Sequence, residues 1–242
     1  MTPMRWPAHP IQSIKSRLLD PYRGTITRVD TQRPAIALTF DDGPHPEYTP
    51  QILDLLTEHG AKATFFVVGR SAEQNPDLIR RVREQGHALA NHTYSHALMT
   101  AISTQERRDE LLGCARLIEP LPVRLFRPPW GAQSQASRRD LQRLGYHVVT
   151  WDTQVEDWLW QPPTDLANRI ISQARSGSIV LLHDAVRPAE PDSPSRLDRS
   201  YLIEALSIAL PVLAADYRLV TVPELLQLGR PVYRPWIYDP AA

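Results

Sequence analysis

Two aspartates, Asp41 and Asp42, stand side by side at the end of the apolar run 35–40, and Gly43-Pro44 stops the run. Adjacent carboxylates repel, and on a continuing strand neighbouring side chains point to opposite faces. A turn at Gly43-Pro44 lets both lean into one cavity, where a cation between them would remove most of the repulsion. One carboxylate can then ligate the cation while the other takes a proton from activated water. His92 and His96 lie four residues apart in "NHTYSH", so a single helical turn would put both imidazoles on one face. Two nitrogens and one oxygen make the open three-ligand set that holds Zn²⁺ with a position left for water. The same set holds non-haem iron, and spacing does not choose between them.

These residues need a scaffold that brings them to one place. From Arg33 onward, apolar β-rich runs (35–40, 63–68, 87–90, 123–126, 147–151, 178–183 and 218–222) alternate with helical periodicity at 48–60, 75–86, 104–120, 134–145, 164–177 and 200–217. Thr49 is placed to cap the first helix with Pro50 in its first turn, and Gly60, Gly86, Gly145 and Gly177 stand where helices should stop. Such alternation predicts parallel strands joined by helical crossovers. Seven units in one chain favour a (β/α) barrel over an open doubly wound sheet, which the same alternation also builds.

In parallel (β/α) folds, sites form at the carboxyl ends of strands. The residues there are Asp41 and Asp42, then His92 and His96, then Arg127 with "PPWG", then Asp152, Asp157 and Trp158, then His183 and Asp184. Polar groups at five strand ends on one rim exceed what solubility needs.

The segments "TFDDGP" (39–44), "HTYSH" (92–96), "RPPWG" (127–131), "DTQVEDW" (152–158) and "LLHD" (181–184) resemble, in order, the five motifs of the polysaccharide deacetylases, carbohydrate esterase family four, with its NodB-homology domain. The resemblance spans roughly 34–228, leaving an N-terminal arm (1–33) and a Pro- and aromatic-rich tail (229–242) that packs over the barrel. It implies a single-domain distorted (β/α) barrel of seven or eight units and metal-dependent hydrolysis of N-acetyl groups from an amino sugar in an oligosaccharide, polysaccharide or glycoconjugate. It further implies that Asp42, His92 and His96 bind one divalent metal, zinc in most relatives, with Co²⁺, Ni²⁺ or Mn²⁺ as alternatives. Asp41 becomes the general base held by Arg127, and His183 the general acid paired with Asp157. Leu181 and Trp158 line the acetyl pocket, and a backbone N–H near Trp130 serves the oxyanion. Two positions depart from the family pattern: Gln154 replaces a second acidic residue, which leaves Asp157 as the acid's partner, and Trp130 replaces Tyr.

Those roles are chemically coherent. Bound zinc brings water's pKa to about 7. A carboxylate beside a dication stays ready to accept a proton, and a histidine beside a carboxylate holds one to deliver. Three other readings use the same residues: an iron oxygenase, a deformylase or other amidohydrolase acting on a small sugar or glycolipid, and a carbohydrate-binding protein without turnover.

Composition excludes other classes. Lys plus Arg equals Asp plus Glu at 27 each, so no net field draws the chain to nucleic acid or an anionic membrane. No stretch approaches a membrane span. The N-terminus lacks the apolar core of a signal peptide, which leads to an expectation of a cytoplasmic protein and a substrate other than extracellular polymer. The single cysteine, Cys114, reads as a packed thiol. His45 lies beside the site; His9, His59, His87 and His147 read as structural. The loop 185–196 reads as a mobile lip, and Trp160 as either a sugar platform or packing. Oligomeric state is not legible.

Overall fold

The computed structural model describes residues 24–186, 198–236 and 238. Its centre is a wholly parallel sheet in the order β6-β5-β4-β3-β2-β8-β7. The strands are β2 (Ala35–Asp41), β3 (Ala63–Val67), β4 (Ala88–Asn91), β5 (Leu125–Phe126), β6 (His147–Val148), β7 (Thr153–Gln154) and β8 (Ile179–His183). A further strand, β9 (Arg218–Leu219), pairs with the start of β2. Outside them pack α1 (Tyr48–Glu58), α2 (Gly69–Gln74), α3 (Pro76–Glu84), α4 (Thr104–Ile118), α5 (Gln135–Arg143), α6 (Pro163–Gln173) and α7 (Ser200–Asp216), whereas the short α8 (Val222–Leu225) puts Val222 and Leu225 into the same core as Ala35 and Ala37. The sheet is curled into the expected distorted (β/α) barrel. No helix among the described residues is long and apolar enough to cross a membrane.

Alternation along β2 shows how sequence aims the chemistry. Ile36, Leu38 and Phe40 join the core beneath the helices, whereas Ala35 and Ala37 join the core inside the barrel. A period of two then carries the inner face on to Thr39 and Asp41. On β8 the outer residues are Val180 and Leu182, so Leu181 and His183 share the inner side. The parallel register places Asp41 opposite His183. The base and acid positions are thereby neighbours at the mouth.

The edges β6 and β7 are consecutive in the chain yet lie at opposite ends of the sheet, so residues 149–152 cross the seam. The Val149 N–H donates to Phe126 O on β5 at 2.9 Å, and the Asp152 N–H donates to Ile179 O on β8 at 3.3 Å. The 147–151 run therefore stops being strand at Val148. Beneath the seam lies β1 (Thr25–Asp30), which accepts the Thr150 N–H at Ile26 O (2.8 Å) and is paired antiparallel with β10 (Arg230–Arg234). This small sheet ties the two ends of the described chain together. A Cβ on Gly177, at φ +84°, would stand 1.8 Å from Val29 O, so only glycine lets β1 approach there.

Candidate active site

Asp41 is the last residue of β2, and Asp42 takes a left-handed φ of 75°, a conformation Asp visits more readily than most residues. That reversal breaks the strand alternation and turns both carboxylates into one cavity, which they line together. Gly43 must follow, because a Cβ there would fall 2.0 Å from Asp184 Oδ2. Asp184, itself buried, accepts the Gly43 N–H at 3.1 Å and the Thr49 hydroxyl. Thr49 is thus not the helix cap that its position suggests. Helix α1 begins one residue earlier, and Thr49 links the His45 N–H (2.7 Å) to Asp184 instead.

His92 and His96 follow β4 in a loop, not on the expected helical turn. Thr93 and His96 both have left-handed φ, 68° and 64°. The loop is clamped by Glu110 of α4, which accepts the N–H groups of Tyr94 (2.9 Å) and Ser95 (2.8 Å) and the Ser95 hydroxyl (2.7 Å). The outcome matches the spacing argument by another route: His92 Nε2 and His96 Nε2 lie 3.3 and 3.1 Å from Asp42 Oδ1. All three side chains are buried, and they form the one group among the described residues that could hold a metal ion. His92 Nδ1 is 2.7 Å from Arg127 O. A proton on Nδ1 directed at that carbonyl leaves Nε2 as the free donor to a cation. Two imidazole nitrogens and one carboxylate, with no cationic side chain among them, fit a divalent ion such as Zn²⁺. Burial would raise the Asp42 carboxyl, but His96 and His92 hold it well below the usual range.

A model of the family described as polysaccharide deacetylase matches residues 28–149. A peptidoglycan-N-acetylglucosamine deacetylase from Bacillus cereus is 37% identical over 217 residues, covering 86% of this chain and 96% of that protein. The chain belongs to the polysaccharide deacetylase family. A chitooligosaccharide deacetylase from Sinorhizobium fredii is 36% identical over 196 residues, covering 79% and 91%. Among solved structures, the peptidoglycan deacetylase PdaC from Bacillus subtilis superposes with a TM-score of 0.70 at 32% identity, covering 83% of this chain and 93% of that one. Its homologues are therefore deacetylases of peptidoglycan and chitooligosaccharides.

In this polysaccharide deacetylase family member, Arg127 is fully buried and spans the barrel interior. Its Nη1 donates to Asp41 Oδ1 (2.7 Å) and Thr39 Oγ1 (2.8 Å), while Nη2 and Nε donate to the seam carbonyls of Thr150 (2.8 Å) and Val149 (3.3 Å). Phe66 and Trp151 flank the guanidinium. Trp130, with a left-handed φ of 55°, packs edge-to-face with His96, the ring centroids 4.3 Å apart. Leu181 and Trp158 line the same cavity, and Trp158 meets His183 edge-on at 5.6 Å.

Across the cavity, His183 Nδ1 lies 2.9 Å from Asp157 Oδ1, and the His183 N–H donates to Asp157 Oδ2 at 2.8 Å. Sequence reasoning missed the third member, Arg199. It is fully buried, donates to the Asp157 carboxylate and carbonyl, and reaches His183 O at 3.0 Å. Burial would raise Asp157, but His183 and Arg199 hold its carboxyl below the usual range. Removing one partner of a buried pair strands the other charge at a cost of about 3–5 kcal/mol. Arg199→Met should lower folding free energy by that amount in urea denaturation, whereas a loss under about 1 kcal/mol would mark an ordinary surface pair.

The pH dependence has a definite sign. Burial would push His183 down, but Asp157, helped by Asp42 and Asp41, lifts it from 6.5 to about 9. Burial pushes Asp184 from 3.8 to about 7; the Thr49 hydroxyl opposes the rise, and Asp42 and Asp41 add to it. Both folded values lie above the ordinary ones, so each contribution is full below the ordinary value and lost as pH climbs through the folded one. Burial holds His87 down at about 4, a shift of opposite sign that offsets Asp184 below about pH 6.5. For metal-free protein, the urea midpoint should therefore fall between about pH 6.5 and pH 9. In His183→Gln the decline above pH 6.5 should flatten; an unchanged slope there would contradict the assignment.

The other sequence candidates take structural places. Asp152 latches the seam, accepting the Ile179 N–H (2.9 Å) and Arg175 Nη2 (2.8 Å). His45 Nδ1 accepts the N–H groups of Glu47 and Tyr48 at the start of α1. His87 Nδ1 accepts the Ala63 N–H at 3.2 Å, while His59 follows the end of α1 and His147 opens β6, exposed. Cys114 is buried, and burial pushes its thiol up to about 12. Trp160 is 68% exposed and does not line the cavity. His9 lies outside the described residues, as does the 185–196 loop from residue 187 on.

Proposed function

We propose that this protein removes N-acetyl groups from an amino sugar of a glycan by metal-assisted hydrolysis. The observation that carries the reading is the convergence of Asp42, His92 and His96 with Asp41 and His183 in one cavity. A divalent cation held by Asp42, His92 and His96 would polarise the amide carbonyl and make water acidic enough to attack near neutral pH.

The protein's own side chains supply the remaining chemistry. Asp41, fixed by Arg127, accepts the proton of the attacking water. Arg127 serves as a positioning residue, since its other donors are spent on Thr39 and the seam carbonyls. His183 donates a proton to the departing amine nitrogen, oriented by Asp157, which Arg199 keeps ionised. The two proton-handling groups have different neighbours: Asp41 sits against the Arg127 guanidinium, and His183 against the Asp157 carboxylate, which helps it keep its proton. Leu181 and Trp158 offer the acetyl methyl an apolar pocket, and a backbone N–H beside Trp130 serves the developing oxyanion.

The test is acetate release from N-acetylglucosamine oligomers and from peptidoglycan fragments, with zinc, cobalt, nickel or manganese added to metal-stripped protein. Metal-dependent acetate release supports the reading. Saturable glycan binding by metal-loaded protein with no acetate released would favour a binding protein, and formate release from formylated sugars alone would favour a deformylase.

A further inference from the structure

The cavity is larger than an acetyl group needs. Its volume is about 770 Å³, within the range of about 300–1,000 Å³ typical of sites that enclose a whole small molecule. Part of its wall comes from residues far outside the five motifs: Pro235, Trp236 and Tyr238, facing the cavity with Trp151 and Gln154.

These three residues follow β10, whose pairing with β1 fixes their approach from Asp30↔Arg230 to Thr25↔Arg234. Beyond the strand, Trp236 Nε1 donates to Gly131 O at 3.0 Å, and Arg138 Nη2 donates to Trp236 O at 2.7 Å. Gln133 and Tyr238 exchange both backbone hydrogen bonds, at 2.8 and 3.2 Å. The Trp236 ring meets Trp151 edge-on at 5.2 Å. The segment is thus anchored to the loop that carries Trp130. Yet Tyr238 remains 50% exposed and Trp130 49% exposed. Core packing does not account for a backbone held on both sides that leaves its aromatic ring at a cavity rim. A flat aromatic ring with a polar tip suits a sugar, which offers a C–H face and hydroxyl edges. None of the five wall residues is charged, so the ring they suit is neutral.

We propose that Trp236 and Tyr238 form a sugar subsite that holds a neighbouring ring of the glycan, beside the ring whose N-acetyl group enters the Asp41–His183 cleft. The proposal rests on the deacetylase reading and narrows its substrate to oligosaccharides with at least one ring beyond the reacting one.

Two measurements test it. The first is the ratio of kcat/KM for the N-acetylglucosamine tetramer to that for the dimer, in zinc-loaded wild type, Tyr238→Ala, Tyr238→Phe and Trp160→Ala. The ratio should fall about tenfold in Tyr238→Ala, the effect of losing about 1.4 kcal/mol of binding, and recover in Tyr238→Phe. Trp160→Ala should keep the wild-type ratio, because that exposed indole stands outside the cavity. The second is tetramer affinity by calorimetry in an Asp41→Asn background, which should weaken about tenfold when Tyr238→Ala is added. Acetate release by wild type with an unchanged ratio and affinity would overturn the subsite and leave the deacetylase reading standing. An equal loss in Trp160→Ala would overturn it too. Tyr238-dependent tetramer binding by a wild-type protein that releases no acetate would keep the subsite and sink the deacetylase reading.

Discussion

Asp41→Asn should lower acetate release by about 10²–10⁴, the usual worth of a positioned acid–base group, while the bound metal stays. Asp41 is buried at the end of β2, with Oδ1 taken by Arg127 and Oδ2 lying 3.9 Å from His92 Nε2. Asparagine keeps a carbonyl oxygen for the Arg127 N–H, so the interior hydrogen bond and the fold survive. It cannot take a proton from water. The ligating set of Asp42, His92 and His96 is untouched by the change. Metal analysis alongside steady-state kinetics checks both halves. Loss of the metal, or retained activity, would show that Asp41 is a ligand or a bystander.

The second large effect is expected at His96. Its Nε2 lies 3.1 Å from Asp42 Oδ1, and its ring is wedged against Trp130. His96→Ala removes one of three donors and leaves an open, two-coordinate remnant. Zinc affinity should fall by more than the roughly 10–100-fold that loss of a ligand's own hydrogen-bond partner costs, and acetate release should fall with it at limiting metal. Competition with a chromogenic chelator reads the affinity directly. Unchanged zinc affinity would place the cation elsewhere.

Much of this was legible in the sequence because parallel strands announce themselves. Their buried runs are apolar on both sides, and their carboxyl ends are where polar residues must converge. Asp41, Asp42, His92, His96, Arg127, Asp157 and His183 were all found that way; five of them line one cavity, and Arg127 and Asp157 are buried behind it, bonded to Asp41 and His183. The hidden parts depend on contacts between distant stretches of chain. Strand β1 is a short run interrupted by Arg28, and its partner β10 lies at the far end of the chain. Arg199 follows a Pro-rich stretch of sequence with no periodic cue, and only the fold lays it on Asp157. Glu110 reads as one more charge on an amphipathic helix until the 92–96 loop is seen resting on its carboxylate. The same loop explains the failed helical expectation. Left-handed Thr93 and His96 redirect the chain, so the histidines meet at Asp42 without a helical turn between them.

The most direct test is a titration of zinc into metal-stripped protein, following acetate release from the N-acetylglucosamine tetramer at each addition. The predicted curve rises from near zero in proportion to zinc and levels off at one equivalent per chain. Acetate release at full rate in the stripped protein, or a curve indifferent to added zinc, cobalt, nickel and manganese, would contradict a single cation held by Asp42, His92 and His96.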